Sequence, residues 1–364
     1  MEVYLDNNAT TIVDPKVYEE MKPFFCDIYG NPNSLHKFGA GTHPKMVEAL
    51  NFLYEGINAA DEDDIIITAN ATESNNTVLK GIWIDKILNG DKKHIITSEV
   101  EHPSITAVCK FLESQGVSVT YLPVNEEGVL EASQVKDFIR EDTALVSIMW
   151  ANNETGKIFP IKEIGAICKE AGVPFHTDAT QAIGKLPIFT EELGIDFLAA
   201  SAHKFHGPKG IGFLYCKQAG FDSLIHGGKQ ENQHRAGTEN LPAIAAMATA
   251  LTEQLKGAQE NLNTISQLKE RFLQNMTDVN FYLNQDENAL PYIINIGFPG
   301  HLNEQLLMRL DLAGIAVSSG SACTAGVIQN SHVLAALYGT DSPRLKESIR
   351  ISLSEENTTE EIDK

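Results

Sequence analysis

Two short stretches combine charged side chains with small residues in a pattern that suits chemistry at the end of a strand. In SAHKFHGPKG (201–210), Lys204 follows an apolar run, where partial desolvation would lower the pKa of its amine and favour Schiff-base formation. In HTDATQAIGK (176–185), Asp178 ends another apolar run, and its carboxylate could keep a pyridinium nitrogen protonated. Gln181 could hydrogen-bond a ring oxygen. The alternatives are a solvated loop lysine and a helix-capping aspartate.

Two further stretches place polar residues after strand-like runs. TANATES (68–74) reads as a strand, a small-residue loop and a helix start, where free N–H groups and the Thr72 hydroxyl could bind phosphate. EVEHPS (99–104) puts His102 at another strand end, where an imidazole can stack on a planar ring or move protons. Helix capping and an ordinary loop histidine are the alternatives. A phosphate turn, a stacking ring, a carboxylate and a lysine, all at strand ends, together indicate a pyridoxal phosphate site.

One cysteine stands in a stretch of small residues. SSGSACTAG (318–326) leaves the backbone around Cys323 free to bend and the thiol unburied. This composition suits a thiolate that must move between two positions, and the alternative is a surface thiol with no role. The five cysteines form no CxxC pair, which fits neither a disulfide framework nor a metal site. We expect Cys109, Cys168 and Cys216 to be packing residues in a reducing compartment.

The elements that must position these residues follow from an alternation of apolar runs and amphipathic stretches. Strands are predicted at 64–68, 94–98, 117–122, 144–150, 174–179, 196–201 and 212–216. Helices are predicted at 74–89, 104–115, 131–140 and 160–171. This order predicts an α/β fold with a mainly parallel, seven-stranded sheet that helices cover on both faces.

The pattern changes after about residue 240. A long helical stretch leads into a smaller α+β region, with strands predicted at 281–284, 292–298 and 348–353 and helices at 303–313 and 331–338. We expect two domains. Residues 13–250 would form the large cofactor-binding domain, and residues 1–12 with 251–364 the small domain that carries the Cys323 loop. The last residues, from Thr358, predict a capped helix start of about one turn.

Composition excludes several classes of function. A formal net charge of -21 argues against a broad phosphate-binding face, so direct nucleic-acid binding is not expected. No apolar run approaches the roughly 20 residues that span a bilayer, and the first residues show no signal-peptide pattern. No glycine-rich dinucleotide motif or P-loop is found. We therefore expect a cytoplasmic protein without a membrane partner.

Taken together, the motifs resemble a known family. YLDNNATT, GNPNSLH, ATESNN, EHPS, NNETG, HTDATQAIGK, SAHKFHGPKG, RAGTEN, SSGSACTAG and IRISLSEENTTEEID occur in the order typical of NifS/IscS-type cysteine desulfurases. These are class V aminotransferase-like enzymes of pyridoxal phosphate-dependent transferase fold type I. One departure is Asn70, which stands where the family usually has glycine in the phosphate turn. We expect the turn to survive because asparagine tolerates the left-handed conformation.

The resemblance implies a role for each matching residue. Lys204 would bind the cofactor covalently and move the substrate Cα proton, and Cys323 would accept the sulfur. The implied cofactor-binding residues besides Lys204 are Asp178, Gln181, His102, Ala71, Thr72, Ser201, His203 and Thr238. Thr238 would reach the phosphate of a neighbouring subunit, which implies a homodimer. Asn153 and Arg350 would hold the substrate carboxylate, for which a planar guanidinium suits a bidentate grip. No metal is implied.

The implied reaction converts L-cysteine to L-alanine and leaves a persulfide on Cys323. The persulfide would pass to an acceptor protein, either an iron–sulfur scaffold or a tRNA thiolase. A selenocysteine lyase could use the same residues, and relative rates on the two amino acids would separate these activities. An ordinary aminotransferase has no need of the Cys323 loop. A non-catalytic, partner-binding homologue is disfavoured because Lys204, Asp178, His102 and Cys323 occur together.

Overall fold

The computed structural model describes residues 2–217, 221–320 and 330–364, so Cys323 lies outside the described residues. The strands within these ranges are β1 (Val3–Tyr4), β2 (Asp64–Thr68), β3 (His94–Ser98), β4 (Ser118–Leu122), β5 (Thr143–Ser147), β6 (Phe175–Asp178), β7 (Phe197–Ser201), β8 (Gly212–Cys216), β9 (Tyr282–Leu283), β10 (Ile293–Gly297), β11 (Ile315–Ala316) and β12 (Ser348–Ser352). The α-helices are α1 (Pro15–Met21), α2 (Pro23–Cys26), α3 (Lys37–Gly56), α4 (Ala71–Ile82), α5 (Pro103–Ser114), α6 (Ala132–Phe138), α7 (Ile161–Ala171), α8 (Leu241–Asn275), α9 (Asn303–Leu312), α10 (His332–Tyr338), α11 (Arg344–Glu347) and α12 (Thr359–Asp363).

The predicted mainly parallel, seven-stranded sheet is confirmed. Its strand order is β2-β8-β7-β6-β5-β3-β4, and β8 runs antiparallel to both of its neighbours while the other strands share one direction. The carboxyl ends of β2, β3, β5, β6 and β7 therefore meet at one edge of the sheet. In parallel sheets this edge is where ligands bind.

Helices cover both faces of this sheet, as the alternating pattern predicted. On one face, α4 and α5 bury Val78, Leu79, Ile105 and Leu112 against the strands. On the other face, α3, α6, α7 and the first half of α8 bury a larger apolar cluster that includes Leu53. The strands are apolar on both sides because both faces are covered, which explains their near-continuous hydrophobic runs.

A second, three-stranded antiparallel sheet has the order β12-β10-β9. Its apolar cluster includes Val3 and Leu5 from the start of the chain and Ile265 and Leu268 from the second half of α8. The 35-residue helix α8 thus contributes to both apolar clusters, and the predicted long helix is confirmed. The division into domains at 13–250 and at 1–12 with 251–364 stays a prediction.

Some local expectations need correction. Asn70 is extended, with φ 179° and ψ 174°, so the left-handed conformation that we expected there is wrong. Its side chain instead caps α4 by accepting a hydrogen bond from the Glu73 amide at 3.0 Å. The helix predicted to end at residue 89 is α-helical only to Ile82, and Trp83–Leu88 forms a π-helix. The expected buried cysteines, Cys109, Cys168 and Cys216, are confirmed as buried.

The described part of the chain contains no helix that is both long and apolar enough to cross a membrane. The capped C-terminal turn is confirmed as α12, where Thr358 and Glu361 form a reciprocal capping box.

Candidate active site

Lys204 lies in a single turn of 3₁₀-helix, Ala202–Lys204, that follows the carboxyl end of β7. Its Nζ donates hydrogen bonds to the carbonyl oxygens of Asn8 at 2.5 Å and Ala9 at 2.9 Å. Burial lowers the pKa of this amine to about 7, with a further contribution from the positive charge of Arg350. A lysine with that pKa is partly neutral at physiological pH and can act as a nucleophile or a base.

Asp178 is the last residue of β6 and is 5% exposed. Because β6 and β7 are neighbours in the sheet, Asp178 lies at the strand end next to the Lys204 turn. Its two oxygens accept hydrogen bonds from the side-chain amide of Asn75 at 2.8 Å and from the backbone of Thr180 at 3.0 Å. Both of these partners are neutral donors, and a carboxylate oxygen can accept a further hydrogen bond from a cationic ring nitrogen.

His102 is connected to Asp178 through a chain of hydrogen bonds. The Asn75 amide also donates to Ser104 Oγ at 2.8 Å, and Ser104 Oγ lies 2.9 Å from His102 Nδ1. The Ser104 backbone N–H donates to the same Nδ1 at 3.2 Å, so this nitrogen is the acceptor and the ring proton lies on Nε2. Burial lowers the pKa of His102, which favours the neutral ring. The imidazole is thereby held in one tautomer, and His102 as a whole is exposed.

The turn that the sequence predicts to bind phosphate lies between β2 and the start of α4. Asn70 accepts hydrogen bonds from the amides of Glu73 and Ser74, and no described residue accepts one from the Ala71 or Thr72 amide in the first turn. Ala71 is buried and Thr72 is exposed. The geometry therefore offers a helix N-terminus with two unused N–H groups beside a hydroxyl.

Two predicted residues, Ser201 and His203, lie at the end of β7 and in the turn that follows it. Ser201 is 2% exposed, and its Oγ is buried without a hydrogen-bond partner among the described residues. His203 Nδ1 lies 3.2 Å from Thr10 Oγ1, and burial lowers the pKa of His203 to about 4, which keeps this ring neutral. An orphaned buried hydroxyl costs free energy unless a ligand supplies its partner, so Ser201 fits an absent polar group.

Arg350 is a buried guanidinium on β12, 5% exposed, that reaches from the second sheet to the edge of the first. It donates to the Asn153 carbonyl at 3.0 Å and to Asp6 Oδ1 at 2.8 Å. Its Nε is buried without a partner among the described residues. Asn153 thus contacts Arg350 through its backbone carbonyl and not through its side chain. Asp6 binds one terminal nitrogen of the guanidinium, which we expected to bind the substrate carboxylate.

Gln181 is 3% exposed, and its Oε1 accepts a hydrogen bond from Lys185 Nζ at 3.2 Å. Thr238 is exposed, and no hydrogen bond in the described part of the chain joins it to the other predicted residues. Its segment is nevertheless tied to the phosphate turn, because Arg235 pairs with Glu73 through two hydrogen bonds of 2.9 and 3.4 Å.

Comparison with known proteins adds independent findings. The family profile described as "Aminotransferase class-V" matches residues 3–364. The chain is 43% identical over 364 residues to "Putative cysteine desulfurase IscS 1" of Bacillus subtilis (strain 168), covering 99% of this chain and 95% of the relative. It is 44% identical over 342 residues to "Cysteine desulfurase IscS" of Dictyoglomus turgidum, covering 92% of this chain and 86% of the relative.

Solved structures are similar along the whole chain. A structure titled "NIFS-LIKE PROTEIN" matches with a TM-score of 0.93 at 36% identity, covering 100% of this chain and 96% of the other. Another, titled "SspA in complex with cysteine", matches with a TM-score of 0.87 at 34% identity, covering 98% of this chain and 100% of the other.

Proposed function

The chain belongs to the class-V aminotransferase family and to its NifS/IscS-type cysteine desulfurases, and on that premise we propose that it converts L-cysteine to L-alanine with pyridoxal 5'-phosphate as cofactor. The observation that carries this proposal is the Lys204 amine, whose pKa is lowered to about 7 at the same sheet edge as the Asp178 carboxylate. The relative crystallised as a complex with cysteine supports the choice of substrate.

The residues at the sheet edge fit pyridoxal phosphate. The orphaned Ser201 hydroxyl and the free amides of Ala71 and Thr72 suit a phosphate, and Asp178 suits a protonated ring nitrogen. Lys204 would hold the aldehyde carbon. When bound, the cofactor supplies an electron sink for the pair of electrons left on the substrate Cα. His203, Gln181 and Thr238 keep their predicted roles, Thr238 toward the phosphate held by a second copy of this chain in a homodimer.

Arg350 and Lys204 have different roles toward the amino-acid substrate: Arg350 binds its carboxylate, and Lys204 removes its Cα proton. No described residue pairs with Arg350 Nε, so its N–H is one of the donors left for the substrate carboxylate, beside the backbone of Asn153. Lys204 Nζ takes the proton from Cα, which its lowered pKa allows near neutral pH. The hydrogen bonds from His102 through Ser104 and Asn75 to Asp178 hold the stacking ring and the carboxylate in a fixed relation.

Cys323 is the proposed sulfur acceptor, on the sequence argument alone. Its thiolate attacks the substrate sulfur, the S–S bond forms, and the substrate C–S bond breaks with its electron pair left on the carbon skeleton. Protonation of that carbon and return of the Cα proton give L-alanine, and the persulfide sulfur then passes to an acceptor protein. An iron–sulfur scaffold and a tRNA thiolase are the two candidate acceptors.

The experiment measures alanine and sulfide released from L-cysteine in the presence of pyridoxal phosphate and a thiol reductant. The wild type should release both products in equal amounts. Lys204→Ala should lose turnover, whereas Lys209→Ala, a matched change at an exposed lysine nearby, should not. Product formation by Lys204→Ala at the wild-type rate would contradict the proposal. A much faster reaction with L-selenocysteine than with L-cysteine would instead identify a selenocysteine lyase.

A further inference from the structure

A second lysine lies in the wall of the cavity that holds Lys204. This small cavity of about 10 Å³ has room for about one water, and its lining includes Lys185, Lys204, His206, Tyr292 and Glu355. Lys185 follows Gly184, which has φ 73° and lies so close to two neighbours that an added Cβ would be 3.2 Å from Phe205 Cβ and 3.3 Å from Gln254 Cβ. The turn that carries Lys185 therefore packs directly against the residue after Lys204.

Lys185 makes few polar contacts for a cation in this position. Its Nζ donates to Gln181 Oε1 at 3.2 Å and lies 5.0 Å from the centre of the Tyr292 ring. It forms no salt bridge within the described residues, and Glu355 attracts it only from a longer distance. Burial, with a smaller contribution from the charge of Arg350, lowers the pKa of Lys185 to about 8 although Glu355 acts in the opposite direction. A cation held without a direct counter-ion is costly, so an anion bound nearby would offset that cost.

The contact with Lys185 decides which way the Gln181 amide faces. An ammonium group can only donate hydrogen bonds, so the amide atom next to it must be Oε1. The Gln181 side chain is buried, and no acceptor in the described part of the chain takes its Nε2. That N–H group is consequently left as a directed donor.

We propose that Lys185 is a positioning residue that fixes the Gln181 amide so that Nε2 is presented to the cofactor's ring oxygen, and whose charge favours the ionised form of that oxygen. The inference rests on the proposed function, because it needs pyridoxal phosphate to bind at this sheet edge. It assigns to Lys185 a role that acts through Gln181 and through its charge on the cofactor's ring oxygen, and not on the substrate.

A purely structural lysine predicts different behaviour. If Lys185 served only to pack against Tyr292, its replacement would lower the stability of the apoprotein and leave the properties of the bound cofactor unchanged. In the proposed role, replacement by methionine removes a costly unpaired cation, so apoprotein stability should not fall. The cofactor should change instead, since the amide loses its fixed orientation.

The experiment compares Lys185→Met, Lys185→Arg and the control Lys162→Met, which changes an exposed lysine on α7. The dissociation constant for pyridoxal phosphate is measured by equilibrium dialysis, and the pH midpoint of the visible absorption band is measured on the holoprotein. Lys185→Met should weaken binding about ten-fold and raise the midpoint by about one pH unit, because a nearby positive charge disfavours a further proton. The difference should shrink above about pH 8, where Lys185 itself loses its proton. Lys185→Arg should restore most of both properties.

A double-mutant cycle tests whether Lys185 acts through Gln181. In a Gln181→Met background, Lys185→Met should weaken binding clearly less than ten-fold, because only the effect of the Lys185 charge on the ring oxygen is then lost. An equal ten-fold loss in that background, or an unchanged midpoint in Lys185→Met, would overturn the inference while wild-type desulfurase activity still stood. If the wild type binds no pyridoxal phosphate, the proposed function fails first and this inference fails with it.

Discussion

Glu355 connects the Lys204 turn to the strand that carries Arg350. It follows β12, and its Oε1 accepts hydrogen bonds from Gln254 at 2.5 Å and Asn261 at 3.3 Å on α8. The same oxygen lies 3.4 Å from His206 Nε2, two residues after Lys204. Both side chains are largely buried, with 7% of His206 and 15% of Glu355 exposed. Removing the charge of Glu355 should therefore weaken the contact between these segments.

The magnitude follows from the proton affinity of the carboxylate. Burial by itself raises the pKa of Glu355, but His206, the Gln254 amide and a backbone N–H outweigh it and lower the pKa from its ordinary 4.5 to about 2. Each ten-fold change in proton affinity corresponds to about 1.4 kcal/mol, so the contacts stabilise the folded protein by on the order of 3 kcal/mol. For a chain of this length, that loss corresponds to a melting temperature about 4 °C lower.

The pH dependence has a definite sign. Because the folded pKa of Glu355 is lowered, its contribution is present above about pH 4.5 and is lost as the pH falls towards about 2. Burial alone would lower the pKa of His206, but Glu355 outweighs burial and raises it above its ordinary 6.5. The stabilisation that protonated His206 contributes is therefore fully present below about pH 6.5 and is lost as the pH rises through the raised pKa of His206 in the folded protein. The gap between wild type and Glu355→Gln should be widest between about pH 5 and 6.5.

The assay is thermal unfolding of the wild type, Glu355→Gln and the control Glu356→Gln, whose side chain is exposed, across that pH range. The control should stay within about 1 °C of the wild type, as expected for an exposed position. A gap for Glu355→Gln that does not vary with pH, or an equal loss in the control, would refute the reasoning.

Three further predictions concern the candidate site. Asn75→Ala should weaken pyridoxal phosphate binding about ten-fold in a dialysis measurement, because it removes a buried hydrogen-bond donor to Asp178. The control is Asn76→Ala, a neighbouring residue that makes no hydrogen bond to Asp178, and an equal loss of binding in the control would contradict the prediction. Arg350→Lys should lower kcat/KM for L-cysteine by about 10- to 100-fold in steady-state assays, because an ammonium cannot reproduce the planar set of donors of a guanidinium. An unchanged kcat/KM would show that Arg350 does not bind the substrate. The rate at which the apoprotein captures pyridoxal phosphate, followed by absorbance, should rise with pH through about 7 as Lys204 loses its proton, whereas a rise only near pH 10 would contradict the lowered pKa.

Much of the fold and part of the site could be predicted from sequence for a common reason. Chemistry-bearing residues such as Asp178 and Lys204 directly follow strands, so a correct strand assignment also places them at one edge of the sheet. The strands themselves can be predicted from the sequence because both faces of the sheet are buried, and each strand is therefore a short apolar run.

The residues that sequence reasoning missed lie within helices and turns. Asn75 and Ser104 are polar residues on the buried sides of α4 and α5, and an unexpected polar residue at an apolar helical position was the available signal. The pairing of Asp6 with Arg350 joins the two ends of the chain, and local patterns carry no information about such a contact. Asn70 was misjudged because a capping side chain and a left-handed backbone favour the same residue type.

The most direct test of the central claim compares sulfide and alanine release by the wild type and by Cys323→Ser, with L-cysteine, pyridoxal phosphate and a thiol reductant. Cys323→Ser should bind the cofactor and keep its yellow colour, because Lys204 is unchanged, yet lose turnover. Sulfide release by the variant at the wild-type rate would contradict the role of Cys323 as sulfur acceptor and favour a lyase that acts without it.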